Sequence, residues 1–244
     1  MMSTYLLIHG SWHGAWCWEK VVPHLEGKGH TVFAPDLPGH GQDKIPIPEI
    51  TLQSYCDRIS EVLAKAEEPA ILVGHSMGGI AITQAAELWP DKIQTLVYLA
   101  AFLPGNGQSL LDLGLQDRDS FLVPNLVIRE AEGYSMVKEE AIREAFYADC
   151  TDEDVTWAKS LLVPDPLAPV ATPVQISEGN YGRILRTYIY CQQDKAVSFA
   201  LQKQMVAATP CQQIFTLPTG HSPFLSDPEA LVDCLTAVAE LQPA

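Results

Sequence analysis

The chain has 244 residues, enough for one large domain with a sizeable core, and 47% of them are hydrophobic, so it is globular and not disordered. Thirty acidic against fifteen basic residues give a formal charge of −15. Such a surface argues against nucleic acid and anionic membrane as partners and fits a solvated, soluble exterior. The six cysteines (Cys17, Cys56, Cys150, Cys191, Cys211, Cys234) form no C-x-x-C and no zinc spacing, and read as reduced, mostly buried residues. The N-terminus runs into an apolar strand without a basic leader, and no apolar run approaches the roughly 18 residues of a membrane span. A cytoplasmic protein is expected.

Thr4 to Ile8 predicts the first strand, which ends in His9-Gly10-Ser11-Trp12-His13-Gly14. Gly10 lets the backbone fold back so that the Ser11 N–H can face a reacting centre. Trp12, Trp16 and Trp18 read mainly as core, although Gly10 and Trp12 lie where a substrate would sit. Ala15 to Leu25 is expected as a helix and Thr31 to Ala34 as a strand. The loop Pro35-Asp36-Leu37-Pro38-Gly39-His40-Gly41 is stiffened by two prolines. Asp36 and His40 have the chemistry of an acid–base pair, and a structural role is assigned to both. Thr51 is a good N-cap for a helix running to Glu67.

Ala70 to Val73 predicts a buried strand, and Gly74-His75-Ser76-Met77-Gly78 fits G-x-S-x-G, with a helix over Ile80 to Trp89 behind it. Strand, sharp turn and helix is the context in which such a serine stands exposed above a sheet. Met77 begins the helix, so its N–H is free to face a developing oxyanion beside that of Ser11. Each such donor is worth roughly 3 kcal/mol in the transition state. Thr95 to Ala100 is the next strand. This alternation predicts an α/β fold with a doubly wound, mostly parallel sheet and its site at the carboxyl ends of the strands.

At Pro104 the pattern breaks. Residues 104–182 read as a helical cap inserted between sheet strands of a core formed by residues 1–103 and 183–244. Helices are expected over Lys138 to Tyr147 and Asp152 to Leu162, the second capped by Thr151. The cap's apolar residues suit an apolar substrate, and could cover a pocket or bury surface in a homodimer. The sheet resumes over Ile184 to Cys191, with Asp194 just past its end. A helix (Phe199 to Ala208), the last strand (Gln212 to Leu217), His221 and a helix over Pro228 to Leu241 complete the chain. Ser76, Asp194 and His221 stand in the order nucleophile, acid, base. His221 would act as general base and acid for Ser76, and Asp194 would orient the imidazole. No metal or cofactor is expected; the expected partner is a small-molecule ester.

These stretches, with Leu99-Ala100-Ala101-Phe102-Leu103-Pro104, Gln193-Asp194-Lys195 and Gly220-His221, resemble the α/β-hydrolase fold, and within it the methylesterase and hydroxynitrile lyase branch. The resemblance spans nearly the whole chain and implies a serine carboxylesterase for small alkyl or aryl esters, with methyl esters favoured. In lyases of this branch a threonine follows the first-strand histidine and a lysine follows the catalytic one. Gly10 and Ser222 occupy those positions here, so the resemblance favours the esterase side. Esterases of the branch often carry an apolar residue at the second position, and Ser222 departs from that pattern. Dehalogenases and epoxide hydrolases of this fold use an aspartate nucleophile, which residue 76 is not. A receptor that only binds its ligand would be marked by loss of a triad residue, and none is lost.

Overall fold

The computed structural model describes residues 2–240. In chain order its strands are β1 (Thr4–Ile8), β2 (Thr31–Phe33), β3 (Ala70–His75), β4 (Ile93–Leu99), β5 (Leu126–Arg129), β6 (Tyr134–Val137), β7 (Asp165–Pro166), β8 (Leu185–Cys191) and β9 (Gln213–Leu217). Six of them form one sheet in the order β2-β1-β3-β4-β8-β9, with every neighbouring pair parallel. All six residues of β3 are buried, as expected of a central parallel strand covered on both faces. Alternate residues feed two cores. Tyr5, Leu7, Ile71, Val73, Val97 and Leu99 pack with Trp18, Leu25, Leu231 and Leu235 on one side. Leu6, Ile8, Leu72 and Leu96 pack with Tyr55, Ile59, Ile80 and Leu201 on the other.

The helix Leu52–Leu63 starts on a reciprocal cap, in which the Thr51 side chain accepts from the Ser54 N–H and the Ser54 hydroxyl oxygen accepts from the Thr51 N–H. The continuous helix expected over Ala15 to Leu25 is instead a 3-10 turn, Ala15–Trp18, followed by the helix Val22–Gly27. Pro23 is the reason: it has no N–H to give to the preceding turn and fits only where a helix begins. The stretch from Lys138 also divides, into a 3-10 turn, Glu139–Ala141, and the helix Ile142–Phe146. Leu241, the expected end of the last helix, lies outside the described residues; the helix is seen as Pro228–Glu240.

Between β4 and β8 the chain forms the short helices Leu110–Gly114, Ile142–Phe146, Asp152–Leu161 and Leu167–Ala171, and a second sheet, β5-β6-β7. The small sheet stands beside the helices expected of this segment. β5 and β6 are an antiparallel hairpin pairing Leu126 with Val137, and β7 adds Ser135–Asp165 and Tyr134–Pro166 pairs at its edge. Strands of four, four and two residues are too short to show a period, and Pro166 is tolerated because β7 is an edge.

The carboxyl ends of β1, β3, β8 and β9 carry Ser11, Ser76, Asp194 and His221 just beyond them. Close approach of β1 to the helix Gly78–Leu88 depends on Gly78, where a Cβ would lie 2.8 Å from both the Ile8 and the His9 carbonyl oxygens. Both obstacles are backbone. Gly78→Ala is therefore expected to destabilise the fold by about 2 kcal/mol or more, read as a lower urea midpoint. A midpoint equal to that of the wild type would show that β1 yields freely.

Candidate active site

Ser76 joins β3 to the helix Gly78–Leu88 at φ +54°, in the left-handed region that a serine adopts only under constraint. Its N–H donates to the Leu99 carbonyl at 3.2 Å, and its own carbonyl accepts from the Phe102 and Gly79 N–H groups at 3.0 and 3.1 Å. These bonds hold the turn. Gly10 packs directly against it, since a Cβ there would lie 2.8 Å from Ser76 Cβ.

His221 Nδ1 and Asp194 Oδ2 are 2.8 Å apart, both residues being buried. The N–H donates to the carboxylate, which leaves Nε2 as the basic nitrogen. Asp194 Oδ1 accepts from the Ala196 and Val197 N–H groups at 2.8 and 3.0 Å, and Gln202 Nε2 donates to Oδ2 at 3.2 Å. Desolvation pushes the Asp194 carboxyl above its ordinary value, opposed by the His221 ring and the two backbone donors. Ser76 Oγ has no hydrogen-bond partner among the described residues, so the Ser76–His221 contact is not made in this state; such bonds often tighten only with substrate present. His221 is tied to the serine turn by another route. His75 Nε2–H donates to the His221 carbonyl at 2.8 Å, and the two ring centroids are 4.5 Å apart. Burial, then the neighbouring His221, holds the His75 ring well below its ordinary value, so it stays neutral.

The candidate oxyanion donors are aimed by their carbonyl neighbours. His9 Nε2 accepts from the Leu37 N–H at 3.0 Å, so its hydrogen is on Nδ1, which donates to the Gly10 carbonyl at 2.9 Å. In a trans peptide the Ser11 N–H then points the opposite way. Next along the chain, His13 Nδ1 donates to the Ser11 carbonyl at 2.7 Å, while its Nε2 accepts from the Tyr147 hydroxyl at 2.7 Å. Burial lowers His13 to about 3, so it is neutral. Among the described residues the Ser11 and Met77 N–H groups have no acceptor, which leaves both for a ligand. Met77 is the N-cap of its helix, as the sequence implied.

The site is nearly shut, Ser76 being 7% and His221 2% exposed. Phe146, from the inserted segment, lies 5.8 Å from the His221 ring and 5.5 Å from that of Trp12. The Trp12 indole N–H is already spent on the Ser135 carbonyl at 3.0 Å, so this side chain offers a substrate only apolar surface. Asp36 and His40 do not pair: Asp36 accepts from the Ala15 and Gln42 N–H groups, and His40 reaches Asp165 instead. Sequence reasoning missed Gln202, His75 and Asp165. For Gln202 a signal existed, because it falls beside Leu201 and Met205 on the buried face of its helix, where an amide needs partners.

The chain matches the alpha/beta hydrolase family over residues 5–234. It belongs to that family. Among family relatives, a chloroplastic protein of Arabidopsis thaliana provisionally designated methylesterase 11 is 34% identical over 99% of this chain. The chain spans only 56 to 65% of the length of that protein and of two further chloroplastic relatives. The pyrethroid hydrolase of Sphingobium wenxiniae is 32% identical, with 98% of this chain and 88% of that protein covered. In structure the chain is similar to polyneuridine aldehyde esterase, with a TM-score of 0.90, 27% identity and coverage of 98% and 100%.

Proposed function

We propose that the protein is a serine carboxylesterase that hydrolyses small alkyl or aryl esters through an acyl-enzyme, with methyl esters favoured. One observation carries the reading: a buried Asp194–His221 pair at 2.8 Å stands with the Ser76 turn and two unpaired N–H groups at the same end of the sheet. Relatives and structural neighbours named as methylesterase, pyrethroid hydrolase and polyneuridine aldehyde esterase support the same chemistry.

Ser76 Oγ attacks the ester carbonyl as His221 Nε2 takes its proton. The Ser11 and Met77 N–H groups stabilise the charge that develops on the carbonyl oxygen. His221 returns the proton to the departing alcohol, then draws one from water, which releases the acid. Asp194 stabilises the imidazolium formed in each half. Trp12 and Phe146 supply an apolar wall. A cyanide-releasing lyase reading is disfavoured by Ser222, which is wholly buried and supplies no cation beside His221. The proposed setting is the cytoplasm, supported by six unpaired cysteines, four of them buried.

The test is stoichiometric trapping. Diethyl p-nitrophenyl phosphate is expected to release about one p-nitrophenol per chain and to leave its phosphoryl group on Ser76, as read by peptide mass mapping. No release, or a label on another residue, would remove Ser76 as nucleophile.

A further inference from the structure

A second buried histidine–aspartate pair lies outside the machinery just described. His40 and Asp165 are 0% and 2% exposed at the side chain, with His40 Nε2 2.9 Å from Asp165 Oδ1. His40 Nδ1 is 3.1 Å from the Pro38 carbonyl, so both ring nitrogens face oxygen acceptors and the ring is held at both ends. Asp165 Oδ1 also accepts the Trp12 N–H, at 3.3 Å. Trp12 directly follows Ser11 and sits at φ +61°, a conformation that favours glycine. Two more bonds hold it there. Its indole N–H donates to the Ser135 carbonyl at 3.0 Å, and its own carbonyl accepts the Val163 N–H at 3.0 Å. Ser135 and Asp165 are cross-strand partners on β6 and β7. The strained residue beside an oxyanion donor is thus clamped by one end of the inserted sheet.

Peptide geometry says what the clamp does. The Ser11–Trp12 peptide gives its N–H to Asp165 and its carbonyl to His13, so its plane is fixed at both ends. The Gly10–Ser11 plane is pinned by His9. The Ser11 N–H lies in the Gly10–Ser11 plane, which is held at its carbonyl by His9 and at the Ser11 Cα by the fixed peptide that follows, so Asp165 acts on that N–H through the Ser11 Cα. We infer that Asp165, held by His40, is a positioning residue for ester hydrolysis: it fixes the Ser11–Trp12 peptide, so that the oxyanion hole is complete only when the inserted segment is seated on the β1 turn. The inference rests on the esterase reading above and adds a contribution that acts through the backbone.

The test measures kcat and KM separately on p-nitrophenyl acetate for the wild type, Asp165→Ala, Asp165→Asn and Ser76→Ala, at a temperature where circular dichroism shows each protein folded. Asp165→Ala is expected to lower kcat by about 10- to 100-fold with KM changed less than about threefold, the pattern of an interaction made in the transition state. Asp165→Asn keeps an oxygen for the Trp12 N–H and should regain much of that loss. Affinity for an aryl trifluoromethyl ketone, whose serine adduct places an oxyanion in the hole, should fall in step with kcat/KM. A merely structural role would lower the melting temperature and leave kcat and ketone affinity of the folded protein unchanged. Folded Asp165→Ala with kcat within about threefold of the wild type overturns the inference, as does an effect confined to KM or an equal loss in both Asp165 variants. If Asp165→Ala does not fold, Asp165→Leu, which fills the space without an acceptor, is judged by the same threshold. Activity that survives Ser76→Ala would remove the esterase reading itself; activity that needs Ser76 but not Asp165 would remove this inference alone.

Discussion

Ser76→Ala is expected to lower kcat/KM for p-nitrophenyl acetate by about a thousandfold at the least, and by as much as about a millionfold, the range set by loss of a triad nucleophile. The fold should be indifferent to the change. Ser76 Oγ makes no hydrogen bond among the described residues, and the bonds that hold the φ +54° turn all come from the backbone. Alanine meets the same backbone strain as serine, so the melting temperature should shift little. Residual activity should come from the Ser11 and Met77 N–H groups acting on water attack, because the hole survives the substitution. His221→Ala should cost about as much as Ser76→Ala, and the double variant little more, since the two residues act as one unit. Equal rates for wild type and Ser76→Ala would end the nucleophile assignment. Strictly additive losses would mean that Ser76 and His221 serve separate steps.

The parts of this site that could be read in the sequence are those fixed by local patterns. Four apolar residues before Gly74-His75-Ser76-Met77-Gly78 announce β3, and the apolar run after it announces the helix that presents Met77. Asp194 and His221 follow the ends of predicted strands, so chain order and strand position identify them together. The clamp on Trp12 had no such signal. Asp165 is 153 residues from Trp12 and lies on a two-residue strand containing a proline. The hairpin that brings Ser135 beside it has strands of four residues. Long-range pairing of short segments is set by tertiary packing, and propensity carries almost none of it. Asp36, in the same loop as His40, is the partner that the local sequence suggests for it. Two backbone N–H groups claim Asp36 instead, because a turn rich in proline and glycine leaves donors that a nearby carboxylate satisfies.

Acidification is expected to unfold the protein steeply, and three buried neutral histidines supply the reason. His9, His13 and His75 are each lowered first of all by burial, His13 to about 3 and the other two well below the ordinary 6.5. Hydrogen bonding explains why none can take up a proton in place. Protonated His9 would set a new N–H against that of Leu37. Protonated His13 would lose the Tyr147 hydroxyl as a donor. In His75 the free nitrogen is Nδ1, buried beside Gly10 without an acceptor. The unfolded chain therefore binds these protons once pH drops below about 6.5, while the folded chain does not. Above that pH the stabilisation from neutral burial is fully present. Below it, each histidine removes up to about 1.4 kcal/mol per pH unit, so the three together remove about 4. His13, lowered to about 3, sustains its share of this loss well into the acid range, against a typical domain stability of about 10 kcal/mol. Asp194 acts in the opposite sense, since its raised carboxyl takes up a proton earlier in the folded state, and it softens the lower end of the slope. Urea midpoints by circular dichroism should be level between pH 8 and 7 and fall steeply from pH 6 to 5. His13→Gln should remove about one proton from the uptake that accompanies unfolding in that window. A flat midpoint from pH 7 to 5, or an uptake unchanged in His13→Gln, would show that these rings titrate inside the folded protein.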